Sequence, residues 1–313
     1  MKRVSMVLAT LTLFYSACGA SAPAADALAK PNVVKINNQV YALLGPIGIP
    51  SKENRGYMVN STIIIGDKGV ILVDTGFTDE IGRHLKKAIA GITSKPVTHI
   101  INSHHHGDHV LGNSEFPGAE IISAEKCREL VEKSSHEWLA LVETLTGLRF
   151  PNTKPVPANT VYAENTKTPV TLAGVAMTLW VPNGSHTPGD MMVYLPGYKL
   201  LIGGDILVHS MTPSFRDAHV KTWIATLEQI GSMDIKTIVP GHGPLMTKND
   251  VKAMHQRMAK LYTGVEAGYK KGLIDSEIRQ TLDLHEWEKM KNFDDLMGMN
   301  INRAFLEVEE ANF

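Results

Sequence analysis

Ser103-His104-His105-His106-Gly107-Asp108-His109 is the stretch on which the fold and chemistry of this chain turn. Four imidazoles and one carboxylate stand within six consecutive positions, directly behind the strand-like run 97–101. That donor set suits zinc and related divalent ions. Along an extended exit from a strand, successive side chains alternate sides. His104, His106 and Asp108 are therefore expected to face one way and His105 the other, with His109 turning back as a helix begins. A run of solvated loop histidines or a purification tag is the bland alternative. Tags, however, sit at chain ends and lack an interleaved Gly-Asp-His. Zinc normally takes four ligands, so further donors are needed. His186 stands in Asn183-Gly184-Ser185-His186-Thr187-Pro188-Gly189-Asp190, Asp205 follows Gly203-Gly204 behind the apolar run 200–202, and His242 lies in Pro240-Gly241-His242-Gly243 behind 237–239. Each follows a strand-like run or interrupts a Gly-rich turn, where a rigid scaffold displays functional loops.

His-x-His-x-Asp-His at 104–109, followed in order by His186, Asp205 and His242, resembles the metallo-β-lactamase superfamily of hydrolases. The resemblance runs from about residue 33 to 247, and all seven ligand positions are filled. It implies an α/β (α+β) fold, the αββα four-layer sandwich, and two zinc ions per chain, with iron or manganese as alternative metals. On this resemblance His104, His106 and His186 hold one metal, Asp108, His109 and His242 hold the other, and Asp205 bridges them. Paired metals lower the pKa of a shared water from about 15.7 to about 7 and polarise a carbonyl. The implied nucleophile is that hydroxide. Asp108 is then the catalytic residue, orienting the hydroxide and carrying a proton to the leaving group. His105 is left out of the ligand set. Asp74, in Val73-Asp74-Thr75-Gly76, is expected to accept backbone N–H bonds from the ligand loop and support the site without being a ligand.

The chain has 313 residues, 43% of them hydrophobic, and a net charge of −1, enough for one large domain with an appendage. No polybasic stretch argues for nucleic acid; the expected partner is a small-molecule substrate, and the oligomeric state is left open. Residues 1–22 read as an export signal: Lys2 and Arg3, a short apolar core, then small residues ending in Ala20-Ser21-Ala22. That core is too short for a transmembrane span, which needs ~20 residues. Ordinary cleavage near Pro23 competes with a lipoprotein-like box, Tyr15-Ser16-Ala17-Cys18, in which Tyr15 replaces the usual Leu. The expected location is periplasmic or secreted, with anchoring through Cys18 as the variant. Either outcome leaves Cys127 alone, without an internal disulfide, as a small core residue on a helix.

A linker (23–32), a hydrolase domain (33–250) and a C-terminal helical extension (251–313) follow. Strands are expected at 33–36, 40–44, 58–65 and 69–73, the last two joined by Gly66-Asp67-Lys68. The loop 45–55 carries Ile47 and Ile49, either over the metal site, as in this superfamily, or capping the core. Apolar residues at helical spacing mark helices over 78–90, 124–146 and 220–230, the last closed by Gly231. His84 is read as a surface histidine and Trp138 as core. Residues 150–167 read as connection, with strands resuming at 170–172, 176–181, 191–195 and 199–202. A stripe from Val251 to Val265 marks the first C-terminal helix, and a second starts near Asp275.

Substrate is less legible. β-Lactamases of the superfamily usually carry Cys or Ser where Asp205 stands, so Asp205 looks more like the glyoxalase II, lactonase and general-hydrolase branches. The lactonase branch places a Tyr three residues further on, where this chain has Val208. Lys270-Lys271 could imitate the basic helix of glyoxalase II, yet an exported enzyme rarely meets glutathione thioesters. The expectation is an exported dinuclear zinc hydrolase of a carboxylic ester or amide, with cyclic β-lactam- or lactone-like substrates included. Its rivals are a thioester hydrolase of glyoxalase II type, a mononuclear iron persulfide dioxygenase, and a metal-binding protein on an inactive scaffold.

Overall fold

The β-branched runs pair as their turns dictate. In the computed structural model, which describes residues 28–312, β1 (Asn32–Lys35), β2 (Val40–Leu44), β3 (Ser61–Ile65) and β4 (Val70–Val73) form an antiparallel meander. The export signal with Lys2, Arg3 and Cys18, and the first part of the linker, lie outside the described residues. After β4 the chain turns into α1 (Asp79–Ala90), whose first turn is capped by Thr78 Oγ1 accepting the Ile81 N–H. It returns as β5 (Val97–Ile101), parallel to β4. The ligand loop and α2 (Gly107–Val110) lead to β6 (Glu120–Ala124), and α3 (Glu125–Thr146) leads to β7 (Thr160–Tyr162), both strands parallel to their predecessors. The seven strands lie in sequence order.

A second sheet holds β8 (Thr166–Leu172), β9 (Val175–Val181), β10 (Met192–Leu195), β11 (Leu200–Ile202) and β12 (Thr237–Val239). Ala173 and Gly174, both at positive φ, make the two-residue turn of the β8–β9 hairpin. Side chains of this sheet alternate between two cores, as a pleated strand requires. Leu179, Val181, Val193, Leu200, Ile202 and Val239 pack toward the first sheet, while Trp180, Met192, Leu201 and Ile238 pack against helices. Those helices are α4 (Val220–Ser232), α5 (Lys248–Tyr269), α6 (Asp275–Thr281) and α7 (Phe293–Glu310). Two sheets face to face with helices outside are the expected αββα layers.

Three local expectations need correction. The connection 150–167 contains β7, and β8 begins at Thr166 rather than Val170, because an edge strand tolerates Pro169 that would break a central one. Helix α4 runs through Gly231 to Ser232, since Gly231 keeps helical geometry. His84 is half-buried, edge-on to Tyr57. Cys127 is free and buried on α3, and burial pushes its thiol pKa up. Among the described residues no helix is long and apolar enough to cross a membrane.

Candidate metal centre

Within each sheet the strands bearing the chemistry run in the same direction, so the loops after β4, β5, β9, β11 and β12 gather at one edge. Ligands collect in that position in open α/β sheets. Asp74 ends β4 in a left-handed conformation (φ 61°), which Asp adopts more readily than most residues. Its Oδ1 accepts the Ser103 backbone N–H at 2.8 Å; its Oδ2 accepts from Ser103 Oγ at 2.7 Å and His109 Nδ1 at 2.8 Å. The ligand loop is thereby hung from the neighbouring strand end.

Each histidine of the set spends one ring nitrogen on a fixed acceptor and turns the other inward. His109 Nδ1 is held by Asp74, which leaves Nε2 3.4 Å from both Asp108 Oδ2 and Asp205 Oδ1. His242 Nδ1 donates to the Met58 carbonyl at 3.0 Å, and its Nε2 lies 3.2 Å from Asp108 and 3.3 Å from Asp205. His186 Nδ1 donates to the Ser214 carbonyl at 3.1 Å, and His106 Nε2 to Asp217 Oδ2 at 2.8 Å. With those protons placed, His106 Nδ1 and His186 Nε2 face each other at 3.1 Å as two lone pairs. Two neutral acceptors at that distance repel unless a cation or proton lies between them. His104 Nε2 is buried without a partner, as is Asp205 Oδ1. Ligating histidines are commonly oriented by such outer acceptors.

The inward atoms form overlapping groups: His104, His106 and His186; Asp108, His109 and His242; and His104, His109 and Asp205, with atoms of each group within 4.8 Å of one another. All seven sequence-expected residues are thus brought together. His105 turns away from them, yet it is buried rather than solvated, edge-on to Trp138 with ring centroids 6.2 Å apart. It could join only a separate group with His106 and Asp217.

Charge divides the centre in two. Burial, helped by the surrounding imidazoles, pushes His104 well below the usual histidine range and His186 down to about 3. Burial also opposes charge on His109 and His242, but the carboxylates outweigh it: His109 is raised well above its ordinary value by Asp108, Asp205 and Asp74, and His242 to about 10 by Asp205 and Asp108. Burial likewise works against ionised Asp108, and His109 and His242 more than reverse it, holding its carboxyl well below the usual range. In one half burial disfavours charge on His104 and His186; the other half carries compensated charge.

Two glycines permit the close approach of the loops. A Cβ on Gly241 would stand 1.9 Å from Asp205 Oδ1, and one on Gly204, at φ 51°, 2.6 Å from the Ser103 Cβ. Asn60 ties the His242 loop down, donating through Nδ2 to the Pro240 and Gly243 carbonyls.

The centre opens into a cleft of about 200 Å³. His106, Asp108, His186, Asp205 and His242 line it, and its remaining walls are largely apolar, including Ile49, Phe77, Trp138, Leu141, Met211 and Leu296. The loop 45–55 therefore borders the site: Ile49, 44% exposed, faces the cleft instead of capping the core. Trp138 packs against the first core, as expected, and its ring also lines the cleft, 4.5 Å from the His106 ring between centroids. Trp138 stands seven residues after Val131 and four before Val142, on the face of α3 that meets the core, and at the edge of that face it borders the cleft with Leu141 and Leu145. Asp217 was missed altogether. It lies 111 residues from His106 in an irregular segment without a pattern to mark it.

The metallo-beta-lactamase superfamily model matches residues 54–242. A metallo-beta-lactamase type 2 from Bacillus sp. (strain 170) is 27% identical over 220 residues, covering 68% of this chain and 75% of the relative. A linear primary-alkylsulfatase from Pseudomonas sp. is 22% identical over 264 residues, covering 71% of this chain and about half (49%) of that protein. Among solved structures, the stereoselective inverting sec-alkylsulfatase from Pseudomonas sp. superposes with a TM-score of 0.67 at 18% identity, over 88% of this chain and 50% of its own. With the family model matching well over half the chain, this protein belongs to the metallo-beta-lactamase superfamily of hydrolases.

Proposed function

We propose that the chain is a dinuclear zinc hydrolase that opens a carboxylic ester or amide, cyclic ones of β-lactam or lactone type included, and that it acts outside the cytoplasm. The observation that carries the metal reading is the convergence of lone pairs. Each ring nitrogen turned outward has an acceptor, while His106 Nδ1 and His186 Nε2 face only each other, His104 Nε2 points inward without a partner, and Asp205 Oδ1 has only His109 Nε2 near it, at 3.4 Å. His104, His106 and His186 would hold one ion, Asp108, His109 and His242 the second, with Asp205 between them. When bound, the two ions supply positive charge that activates water and polarises the scissile carbonyl.

The side chains divide the remaining work. Asp108 lines the cleft and is held ionised, so it orients a water by accepting its hydrogen bond and passes a proton to the leaving oxygen or nitrogen. A carboxylate of so low a pKa is a weak base, suited to relaying a proton and not to keeping it. Asp74 holds the ligand loop from behind. The apolar walls exclude water and receive an apolar part of the substrate. Export rests on the residues of the 1–22 segment, and residues 33–250 would form the hydrolase unit.

A second reading, hydrolysis of an alkyl sulfate ester, is favoured by the alkylsulfatase relative together with those walls. A hydrolysis screen of zinc-loaded protein over β-lactams, lactones, thioesters, simple amides and alkyl sulfates separates the two. Turnover of an ester or amide is the expected result. Turnover confined to sulfates transfers the assignment to the second reading, and none at full metal occupancy overturns both.

A further inference from the structure

The C-terminal helix α7 lies beyond the segment matched by the family model, yet three of its side chains reach back to the metal centre's supports. Asn300, Arg303 and Glu307 stand at i, i+3 and i+7, so they form one stripe of the helix. Asn300 is fully buried; its Oδ1 accepts the Phe215 N–H at 2.9 Å and its Nδ2 donates to the Pro213 carbonyl at 2.8 Å. The residue bracketed by those two bonds is Ser214, whose carbonyl receives His186 Nδ1. Arg303 Nε donates to the Ala218 carbonyl at 2.9 Å, one residue beyond Asp217, the partner of His106. Glu307 accepts the N–H groups of Val220 and Lys221 at 2.6 and 3.0 Å, capping α4, whose own preceding residue His219 supplies no side-chain cap. The segment 213–221 has little regular structure before α4 begins, and these five bonds fix its backbone.

We propose that α7 is a positioning element for the His104/His106/His186 group: its Asn300–Arg303–Glu307 stripe fixes the segment 213–221, which sets the rings of His186 and His106. The proposal rests on the reading that these histidines hold a metal. It assigns the extension a role on one half of the centre only. Among the described residues, the supports of the other half are Asp74 and the Met58 carbonyl, which belong to the first sheet and its loops and make no bond to α7.

The test is stepwise metal affinity in the full chain, measured by competition with a chromophoric chelator using zinc, with the cobalt(II) spectrum as a second readout. Asn300→Ala is compared with wild type and with Leu306→Ala on the exposed side of α7. Loss of an outer support lowers metal affinity by about 10–100-fold, and Asn300, acting through Ser214, is expected at the lower end of that range for one of the two sites. The other site and the Leu306→Ala protein remain at wild-type affinity. If Asn300→Ala does not fold, Arg303→Ala removes one bond to the segment, along with a long surface ion pair to Glu310, and is expected to give a smaller shift at the same site. Equal weakening of both sites, or unchanged affinity in a folded variant, overturns the proposal. A wild-type protein that binds no metal overturns the metal reading itself, an outcome distinct from two sites that ignore Asn300.

Discussion

Asp217 offers the sharpest perturbation of the centre because it is not a member of the seven-residue set. Its Oδ2 lies 2.8 Å from His106 Nε2 and fixes which nitrogen of that ring carries the proton. Asp217→Ala frees the ring to rotate and to take the other tautomer, in which Nδ1 no longer offers a lone pair. Loss of such a partner costs about 10–100-fold in metal affinity, and each factor of ten is about 1.4 kcal/mol. The Asp217 side chain is 36% exposed, so water can partly replace it. That argues for about tenfold in Asp217→Ala, and less in Asp217→Asn, whose amide oxygen still accepts from Nε2. The assay is zinc competition at neutral pH, with Glu80→Gln as control, a change that touches only the outlying ion pair with Arg55. Wild-type affinity at both sites in folded Asp217→Ala would refute the orientation argument.

Three further outcomes follow from the same geometry. Loading of the Asp108/His109/His242 half should release protons near neutral pH, because His109 and His242 are raised and hold protons in the metal-free protein, whereas His104 and His186 are lowered and have none to give. Calorimetric titrations in buffers of different ionisation enthalpy count those protons, and affinity at that half should rise with pH; equal release at both halves contradicts the assignment. Gly241→Ala places a methyl 1.9 Å from Asp205 Oδ1, so it should displace the His242 loop and abolish the second metal before it unfolds the chain, as metal analysis alongside circular dichroism would reveal. His106→Ala should remove a metal whereas His105→Ala should retain both; equal loss in the two variants would mean that the faces of the loop are assigned wrongly.

The seven converging residues were legible because each stands in a short polar or Gly-rich turn directly after a strand, where few residue types would serve the fold alone. The αββα layering, by contrast, came through the resemblance, since periodicity gives only mixed α and β. Asp217 carried no signal: its partner is 111 residues away, and the contact arises only when the second sheet's loops fold over the first sheet's. The spacing of Trp138 with Val131 and Val142 marks it as core, but only the tertiary structure shows that its ring also borders the cleft. Strand β8 was shortened because Pro169 and alternating exposed residues conceal an edge strand. In sequence the stripe on α7 looks like the solvated side of an amphipathic helix, and its meaning depends on the segment it faces.

On the proposed function, one chain holds two metals, one in a cup of three imidazoles and one in a neighbouring carboxylate–imidazole site. Native mass spectrometry of metal-free protein titrated with zinc tests it most directly, because it counts ions per folded chain without needing a substrate. Two ions are expected, with His186→Ala reducing the count to one and His104→Ala/His242→Ala together reducing it to none. A wild-type protein that saturates with a single ion, or with none, would contradict the account.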